Sequence, residues 1–122
     1  MDFFNHYRNS IVADWVAALL AVDPEAAVVV LGDLNELGYA TPVRILEATP
    51  LEDLTGRIAP DDRYTFVFNG NSQLLDHVLV SPGLDRAADL SVDIVHLNAD
   101  KAEYGRASDH DPIVVEVGFT KP

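Results

Sequence analysis

The sequence predicts an α+β fold with a mainly antiparallel sheet. Three observations indicate it: a long N-terminal stretch with helical spacing, several short β-branched runs bounded by turn residues, and an Asn-Gly pair between two such runs. The chain has 122 residues, of which 48% are hydrophobic, so it can bury a core and is unlike a disordered chain. No repeat or linker-like segment divides it, and a single domain or part of one is predicted.

Two helices are predicted in the first half of the chain. The first spans about residues 5–22, before an Asp-Pro pair, and the second runs through Leu46, with Thr41 as N-cap and Pro42 at its first position, and ends at Thr49-Pro50. Apolar residues three or four apart place one face of the first helix against the rest of the protein. They are Phe4, Tyr7, Ile11, Trp15, Ala18, Leu19 and Val22.

The strands follow in order. Residues 27–31 form an unbroken apolar run before Gly32, which fits a strand covered on both faces and is compatible with one parallel pairing. After a connection with about one helical turn over 51–63, residues 64–80 have the pattern of a β-hairpin that turns at Asn69–Ser72. Ser81-Pro82-Gly83 ends it. Two more strands are predicted, with a polar loop over 98–106 between them, at 91–97 and 112–118.

The second arm of that hairpin carries charged groups among apolar ones. The period of two along a strand places Leu74, Asp76, Val78 and Val80 on one face, and Leu75, His77 and Leu79 on the other. Asp76 therefore lies on an apolar face, where a carboxylate is costly unless another group pairs with it.

The composition excludes several classes of function. Twenty acidic side chains against eight basic ones give a formal charge of −12, which repels phosphate backbones and argues against an ordinary DNA-binding module. The same charge is compatible with a divalent cation or with a solvated acidic surface. The absence of cysteine excludes a disulfide framework, a thiolate zinc site and a cysteine nucleophile. No signal peptide and no membrane-length apolar run is found.

Acid, amide and imidazole groups occur together near three predicted strand ends. His110 is a candidate acid–base group, and Asp76 is the best candidate for the carboxylate that orients it. Asp109 could bind a hard cation such as Mg²⁺. Asp33 could position and deprotonate a water molecule, while Asn35 donates to a phosphate oxygen. Together these groups favour metal-assisted phosphoester hydrolysis.

Each candidate also has a structural interpretation. Asp33 and Asn35 could be ordinary turn residues, and Asp109 could cap the turn before a proline. For Asp76 the structural and functional interpretations stay equally open. No complementary residue flanks the other histidines, so each is expected to pack or to face solvent; they are His6, His77 and His96. Asp111 is expected to shape the turn.

Three segments together resemble a known superfamily. Residues 30–35 (Val-Leu-Gly-Asp-Leu-Asn), 75–81 (Leu-Asp-His-Val-Leu-Val-Ser) and 108–112 (Ser-Asp-His-Asp-Pro) resemble, in that order, the C-terminal signatures of the endonuclease/exonuclease/phosphatase superfamily. Residues 64–77 and 96–100 resemble in particular its secreted bacterial nucleases. The resemblance covers nearly the whole chain.

The resemblance implies a Mg²⁺-dependent phosphodiester hydrolase, with Mn²⁺ or Ca²⁺ as alternatives, acting on DNA in preference to RNA. It implies that Asp33 aligns the attacking water, that Asn35 contacts the scissile phosphate and that Asp76 orients His110. Asp109 would assist the metal site, and His110 would bind the substrate phosphate and stabilise the pentavalent transition state. It also implies a secreted protein.

The chain departs from the superfamily in length. Members are about twice as long and form a two-sheet sandwich whose packed faces share a core. Their N-terminal half supplies the glutamate that is the main metal ligand, and no glutamate here, at 25, 36 or 47, has the matching place. Residues 1–122 are therefore predicted to be the C-terminal half of such a domain. Alone, this half should expose an apolar sheet face and have little nuclease activity.

Two other functions stay open at this point. One is a phosphatase or phospholipid phosphodiesterase with the same fold. The other is a non-catalytic interaction module that keeps the fold without the metal glutamate.

Overall fold

Strand β5 (Asp76–Val80) is central to the fold. The computed structural model describes residues 3–119. In it, β5 pairs antiparallel on one side with β1 (Val29–Asp33) and on the other with the short β2 (Glu52–Asp53). Two further antiparallel pairs form separate small sheets, namely β3 (Phe66–Phe68) with β4 (Asn71–Gln73), and β6 (Asp89–Ile94) with β7 (Ile113–Gly118).

Three α-helices accompany these strands and confirm the α+β prediction. They are α1 (Phe3–Val22), α2 (Thr41–Glu47) and α3 (Pro82–Ala87). Short 3₁₀ turns lie at Leu54–Arg57, Pro60–Asp62 and Glu103–Gly105. Of these α-helices, α3 is absent from the sequence predictions, in which Ser81-Pro82-Gly83 ended a strand; strand β2 and the turn at Glu103–Gly105 were not predicted either. Ser81 is in fact the N-cap of α3, and its hydroxyl accepts a hydrogen bond from the N–H of Leu84.

The two faces of β5 pack into different clusters, which confirms the alternation predicted for this strand. On one face, Leu79 is buried with residues of α1, α2 and the following loop, namely Ala13, Val16, Leu46 and Leu51. On the other face, Val78 and Val80 are buried with Leu54, Leu84 and Ala88. The second cluster extends to partly buried residues of β6 and β7, and so connects the three-stranded sheet to the β6–β7 pair.

The spacing in α1 correctly predicted a helix, but the predicted buried face is wrong. The aromatic and aliphatic stripe faces solvent; Trp15, for example, is 70% exposed. The buried positions are also three or four apart, and they are Asn5, Asn9, Ala13 and Val16. The side-chain amide of Asn9 donates to the carbonyl of Pro42 at 2.9 Å, which ties α1 to the start of α2. A periodicity alone therefore did not identify the packed face.

Two other sequence predictions require correction. The parallel pairing suggested for the 27–31 run is wrong, because β1 pairs antiparallel with β5 and continues through Gly32 to Asp33. The expectation that this strand is covered on both faces is also wrong, because Val29 and Leu31 are 46% and 69% exposed. An apolar run does not show how the neighbouring strand is oriented. Helix α2 begins one position earlier than predicted, at Thr41, with Ala40 rather than Thr41 as N-cap and no side-chain cap. This is the ordinary uncertainty of a helix boundary.

The predicted hairpin is shorter than its sequence pattern. Asn69 and Gly70 have φ values of 49° and 78°, as a two-residue turn of the favoured type requires, and they join β3 to β4. The chain then leaves this pair, because Thr65 Oγ1 accepts hydrogen bonds from the N–H groups of Leu75 and Asp76 at 3.2 and 3.3 Å. From Asp76 onward the strand pairs with β1 instead.

Gly83 offers a test of how closely α3 packs. A Cβ at this position would lie 2.3 Å from the carbonyl oxygen of Glu25, which is backbone and cannot swing aside. We expect Gly83→Ala to lower the free energy of unfolding by at least about 2 kcal/mol, as overpacking does. Gly56→Ala is the matched control, because a Cβ there meets nothing within 4 Å. Urea unfolding of both variants measures this, and equal stability would show that the α3 contact is loose.

Candidate functional site

Three of the predicted site residues lie together at one end of the central sheet. Asp33 and Asp76 are directly opposite each other in the β1–β5 register. His110 reaches the same place through an isolated antiparallel bridge with Phe66 on β3. One potential ligand atom from each of Asp33, Asp76 and His110 lies within 4.8 Å of the other two. Residues far apart in sequence thus form one cluster of two carboxylates and an imidazole.

His110 and Asp76 form the closest contact of this cluster. His110 Nδ1 and Asp76 Oδ2 are 2.6 Å apart, and both side chains are about one-fifth exposed. A carboxylate oxygen can only accept, so Nδ1 carries the proton and Nε2 is the ring nitrogen left for other partners. The Phe66 ring, with its centroid 5.0 Å from that of His110, restrains the imidazole from one side. This is the pairing that the sequence predicts for Asp76.

The surrounding charges favour the imidazolium form of His110. Burial alone would lower the pKa of His110. The hydrogen bond to Asp76 opposes this effect, and so do the negative charges of Asp76, Asp33 and Asp109, with the result that the pKa lies above its usual value. Two carboxylates directly opposite each other repel unless a positive group lies between them. His110 supplies such a group here.

Asp33 and Asn35 form a tight turn after β1. Asp33 Oδ1 accepts from the backbone N–H of Asn35 at 2.8 Å, and Oδ2 accepts from the Asn35 side-chain amide at 3.3 Å. Asn35 has a φ of 51°, a left-handed conformation that asparagine tolerates. Both residues are exposed. Asp33 and Asn35 are thus turn residues, and the same turn holds Asp33 near the His110–Asp76 contact.

Asp109 lies outside the three-residue cluster. It is exposed, and it acts on His110 through its charge. Carboxylate oxygens are suitable Mg²⁺ ligands. Among residues 3–119, Asp33, Asp76 and His110 are the group whose ligand atoms lie close enough together to hold a metal ion, and Asp109 is not part of it.

The sequence did not reveal a second histidine–carboxylate pair, since His77 was expected only to pack or to face solvent. His77 is 1% exposed; its Nδ1 lies 2.7 Å from Asp53 Oδ2 and its Nε2 lies 2.8 Å from the Glu36 carbonyl. Both partners accept, so His77 has a favourable arrangement as an imidazolium. The signal was its place on an apolar strand face, the same argument that singled out Asp76. Nothing in the sequence pointed to Asp53.

A third pair involves His96, which was also expected to pack or to face solvent. Its Nδ1 lies 2.9 Å from Oδ2 of Asp111, and its ring stacks on Tyr64 at a centroid distance of 4.2 Å. Asp111 Oδ1 accepts from three successive backbone N–H groups, those of Leu97, Asn98 and Ala99. The prediction that Asp111 shapes a turn is confirmed, since it organises the loop after β6.

An apolar groove of about 420 Å³ runs beside the cluster. It separates the β1–β5 strands from β7, and Asp76 and Asp111 lie at its polar lining. Its apolar lining includes Val29, Leu31, Val78, Val80, Ile113, Val115 and Val117. Leu31 is 69% exposed, which is unusual for a leucine in the middle of a strand. The groove is thus an open apolar surface between the β1–β5 strands and β7.

The comparisons with known proteins add no family. No protein-family model matches the chain, and no curated protein matches it either. Within residues 3–119, no helix is long and apolar enough to cross a membrane.

Proposed function

We propose that this chain is the C-terminal part of a metal-dependent phosphodiester hydrolase, with DNA as substrate in preference to RNA. The observation that carries the proposal is the 2.6 Å hydrogen bond between His110 and Asp76, with Asp33 beside it. Phosphodiester hydrolysis needs an oriented imidazolium beside a carboxylate that can accept a proton from the attacking water. The resemblance of the three segments to the endonuclease/exonuclease/phosphatase superfamily supports the same reaction.

His110 has the properties of a transition-state stabiliser. Negative charge grows on the phosphoryl oxygens as water attacks, and a positively charged donor fixed in place lowers the energy of that state. Asp76 fixes the ring orientation, because it accepts the Nδ1 proton and leaves Nε2–H to donate to an oxygen of the phosphate. The raised pKa keeps His110 protonated closer to neutral pH than a free histidine.

Asp33 and Asn35 supply the complementary roles. Asp33 is exposed at the cluster, so its carboxylate can accept a proton from the attacking water. The Asn35 amide has two N–H donors, and only one is used by Asp33 Oδ2. The other can donate to a non-bridging phosphate oxygen. The reaction is in-line displacement of the leaving alkoxide by water, without a covalent enzyme intermediate.

The proposed cofactor is Mg²⁺, with Mn²⁺ or Ca²⁺ as alternatives, and Asp109 is its proposed ligand from this chain. A bound cation would supply charge neutralisation at the phosphate. Because the resemblance assigns the main metal ligand to an N-terminal half of the same domain, the proposed remaining ligands come from that half. One exposed apolar surface supports a missing layer: the groove beside β1, where Leu31 is 69% exposed. Secretion is part of the proposal by resemblance alone.

A hydrolysis assay of two proteins tests this proposal. One is the 122-residue chain, and the other is the chain extended by whatever sequence precedes it in frame in its gene. We expect the extended protein to hydrolyse DNA with Mg²⁺, to stop on chelation by EDTA, and to be inactivated by His110→Ala. The chain alone should show little activity. Robust hydrolysis by the chain alone, abolished by His110→Ala, would show that its site is complete.

One observation favours an alternative within the same chemistry. The apolar groove that reaches Asp76 could accommodate an acyl chain as well as a protein layer. The same assay should therefore include RNA, sphingomyelin and inositol phosphates. Activity on sphingomyelin but not on DNA would assign a phospholipid phosphodiesterase. A folded extended protein that hydrolyses none of these substrates and binds no Mg²⁺ by calorimetry would assign a non-catalytic interaction module.

A further inference from the structure

Asp111, the residue after His110, is buried and held by several hydrogen bonds. Asp111 is 3% exposed, and its Oδ1 accepts from the N–H groups of Leu97, Asn98 and Ala99 at 3.0, 2.7 and 3.0 Å. Its Oδ2 faces His96 Nδ1 at 2.9 Å. Burial alone would raise the pKa of Asp111, but these donors outweigh burial and hold the pKa below its usual value. A buried carboxylate with four donors fixes the loop around it.

The same loop also holds the backbone of His110. The Asn98 side-chain amide donates to the His110 carbonyl at 2.8 Å, and Asn98 is 9% exposed. In addition, the N–H of Asp111 donates to the Thr65 carbonyl at 2.8 Å, and Phe66 forms an isolated bridge with His110. His110 is therefore anchored between β3 and the loop at 97–99.

Tyr64 contacts the residues on either side of the loop at 97–99, namely His96 and Asp100. The Tyr64 ring stacks on His96 with an angle of 15° between the ring planes, and the Tyr64 hydroxyl donates to Asp100 Oδ2 at 2.6 Å. That hydrogen bond raises the pKa of Tyr64 to about 12, so the hydroxyl stays a donor over the neutral range. This outer contact does not touch His110, and it provides a reference for the effect of loosening the loop.

The His110–Asp76 contact depends on such anchoring. Asp76 belongs to the three-stranded sheet, whereas His110 lies just before β7, which belongs to the separate β6–β7 sheet. Their 2.6 Å hydrogen bond must therefore be kept across two sheets. A shift of about 1 Å in one backbone would weaken it markedly.

We propose that Asp111 and Asn98 are positioning residues that hold the His110 ring against Asp76. The catalytic consequence rests on the proposed function, but the positioning itself can be observed without any reaction. Asp111 sets the loop through its Oδ1, and Asn98 transmits that placement to the His110 carbonyl. Neither residue touches substrate in this scheme.

The test is the NMR signal of the His110 Nδ1 proton in the 122-residue chain, labelled with ¹⁵N at histidine. A proton shared with a carboxylate resonates far downfield. Because His77 and His96 also pair with carboxylates, the His110 signal is first identified by its loss in His110→Ala, and it then reports the contact with Asp76. We expect it to disappear in Asp111→Ala and in Asn98→Ala. Asp111→Asn should restore it, because the asparagine Oδ1 keeps an acceptor for the three N–H groups. Asp100→Asn, which alters only the outer contact with Tyr64, is the matched control and should retain the signal.

A purely structural role would lower stability without moving this signal. The proposal is therefore overturned if Asp111→Ala or Asn98→Ala stays folded by circular dichroism and still shows the His110 Nδ1 proton. If Asp111→Ala fails to fold, Asn98→Ala alone tests the proposal, because it removes only the hydrogen bond to the His110 carbonyl. In the extended protein, the same variants should lower kcat by about 100-fold with little change in KM. If the extended protein proves inactive on every substrate while the NMR result holds, only the proposed function fails.

Discussion

Replacing His77 with alanine is expected to lower the free energy of unfolding by about 3–5 kcal/mol, as loss of one partner from a buried ion pair does. The His77 side chain is fully buried and that of Asp53 is 9% exposed, so the variant leaves a carboxylate with little access to water. The variant also removes a donor from the Glu36 carbonyl. Urea unfolding followed by circular dichroism measures this loss.

An exposed ion pair provides the contrast. Arg57 and Asp85 are 2.7 Å apart, with side chains more than one-third exposed, so Asp85→Ala should cost less than about 1 kcal/mol. Asp53→Ala should cost about as much as His77→Ala. The double variant should lose less than the sum, because each single variant already breaks the shared interaction. Equal losses in His77→Ala and Asp85→Ala would contradict a buried charged pair.

The His77–Asp53 pair also predicts a pH window for stability. Burial alone would lower the pKa of His77, but Asp53 and the Glu36 carbonyl raise it above its usual value. For Asp53, burial acts to raise the pKa, yet the hydrogen bonds from His77 and Thr55 bring it below its usual value. The His77 contribution is complete below about pH 6.5 and is lost as pH rises through the raised pKa. The Asp53 contribution is complete above about pH 4 and is lost as pH falls through the lowered pKa.

Stability should therefore be greatest between those limits and should decline on both sides. His77→Ala should flatten the profile on the alkaline side, because the histidine that releases its proton there is gone. Thermal unfolding of the chain and of the variant over this range measures the effect. An unchanged slope above about pH 6.5 in His77→Ala would assign the alkaline loss to another group, with His110 as the next candidate.

Asp76→Asn is expected to have the largest effect on activity. In the extended protein, we expect hydrolysis to fall by about 100- to 10,000-fold, the usual range for an oriented acid–base group. The substitution keeps the size of the side chain but removes the charge that favours the His110 imidazolium. Its amide can also donate to Nδ1 and so select the other tautomer. Initial rates on a defined DNA substrate measure the loss.

The same variant has a readout in the chain alone. The pKa of His110, followed by the ring proton shifts on titration, should lie above about 6.5 in the parent chain and fall in Asp76→Asn. Its stabilising effect is complete below that pH and is lost as pH rises through the raised pKa. Asp93→Asn, an exposed change on β6, is the control and should leave both rate and pKa unaltered. A His110 pKa that does not respond to Asp76→Asn would mean that the 2.6 Å contact is not maintained in solution.

Local patterns in the sequence determined the helices α1 and α2, the alternating faces of β5 and the turn at Asn69-Gly70. They also led to the His110–Asp76 pair, because a carboxylate on an apolar strand face requires a partner. These features depend on spacing and turn chemistry within a few residues, which the sequence displays directly. The approximate position of the site at the end of β1 follows from the same kind of reasoning.

Only the tertiary structure decided which surfaces and which partners meet. The apolar stripe of α1 faces solvent, while Asn9 of the opposite side is buried against α2. His77 pairs with Asp53, which lies 24 positions away in a segment with no recognisable pattern. His96 pairs with Asp111 across a loop. Such contacts depend on the register and packing of separate elements, and no local periodicity encodes the distance between two side chains that the fold brings together.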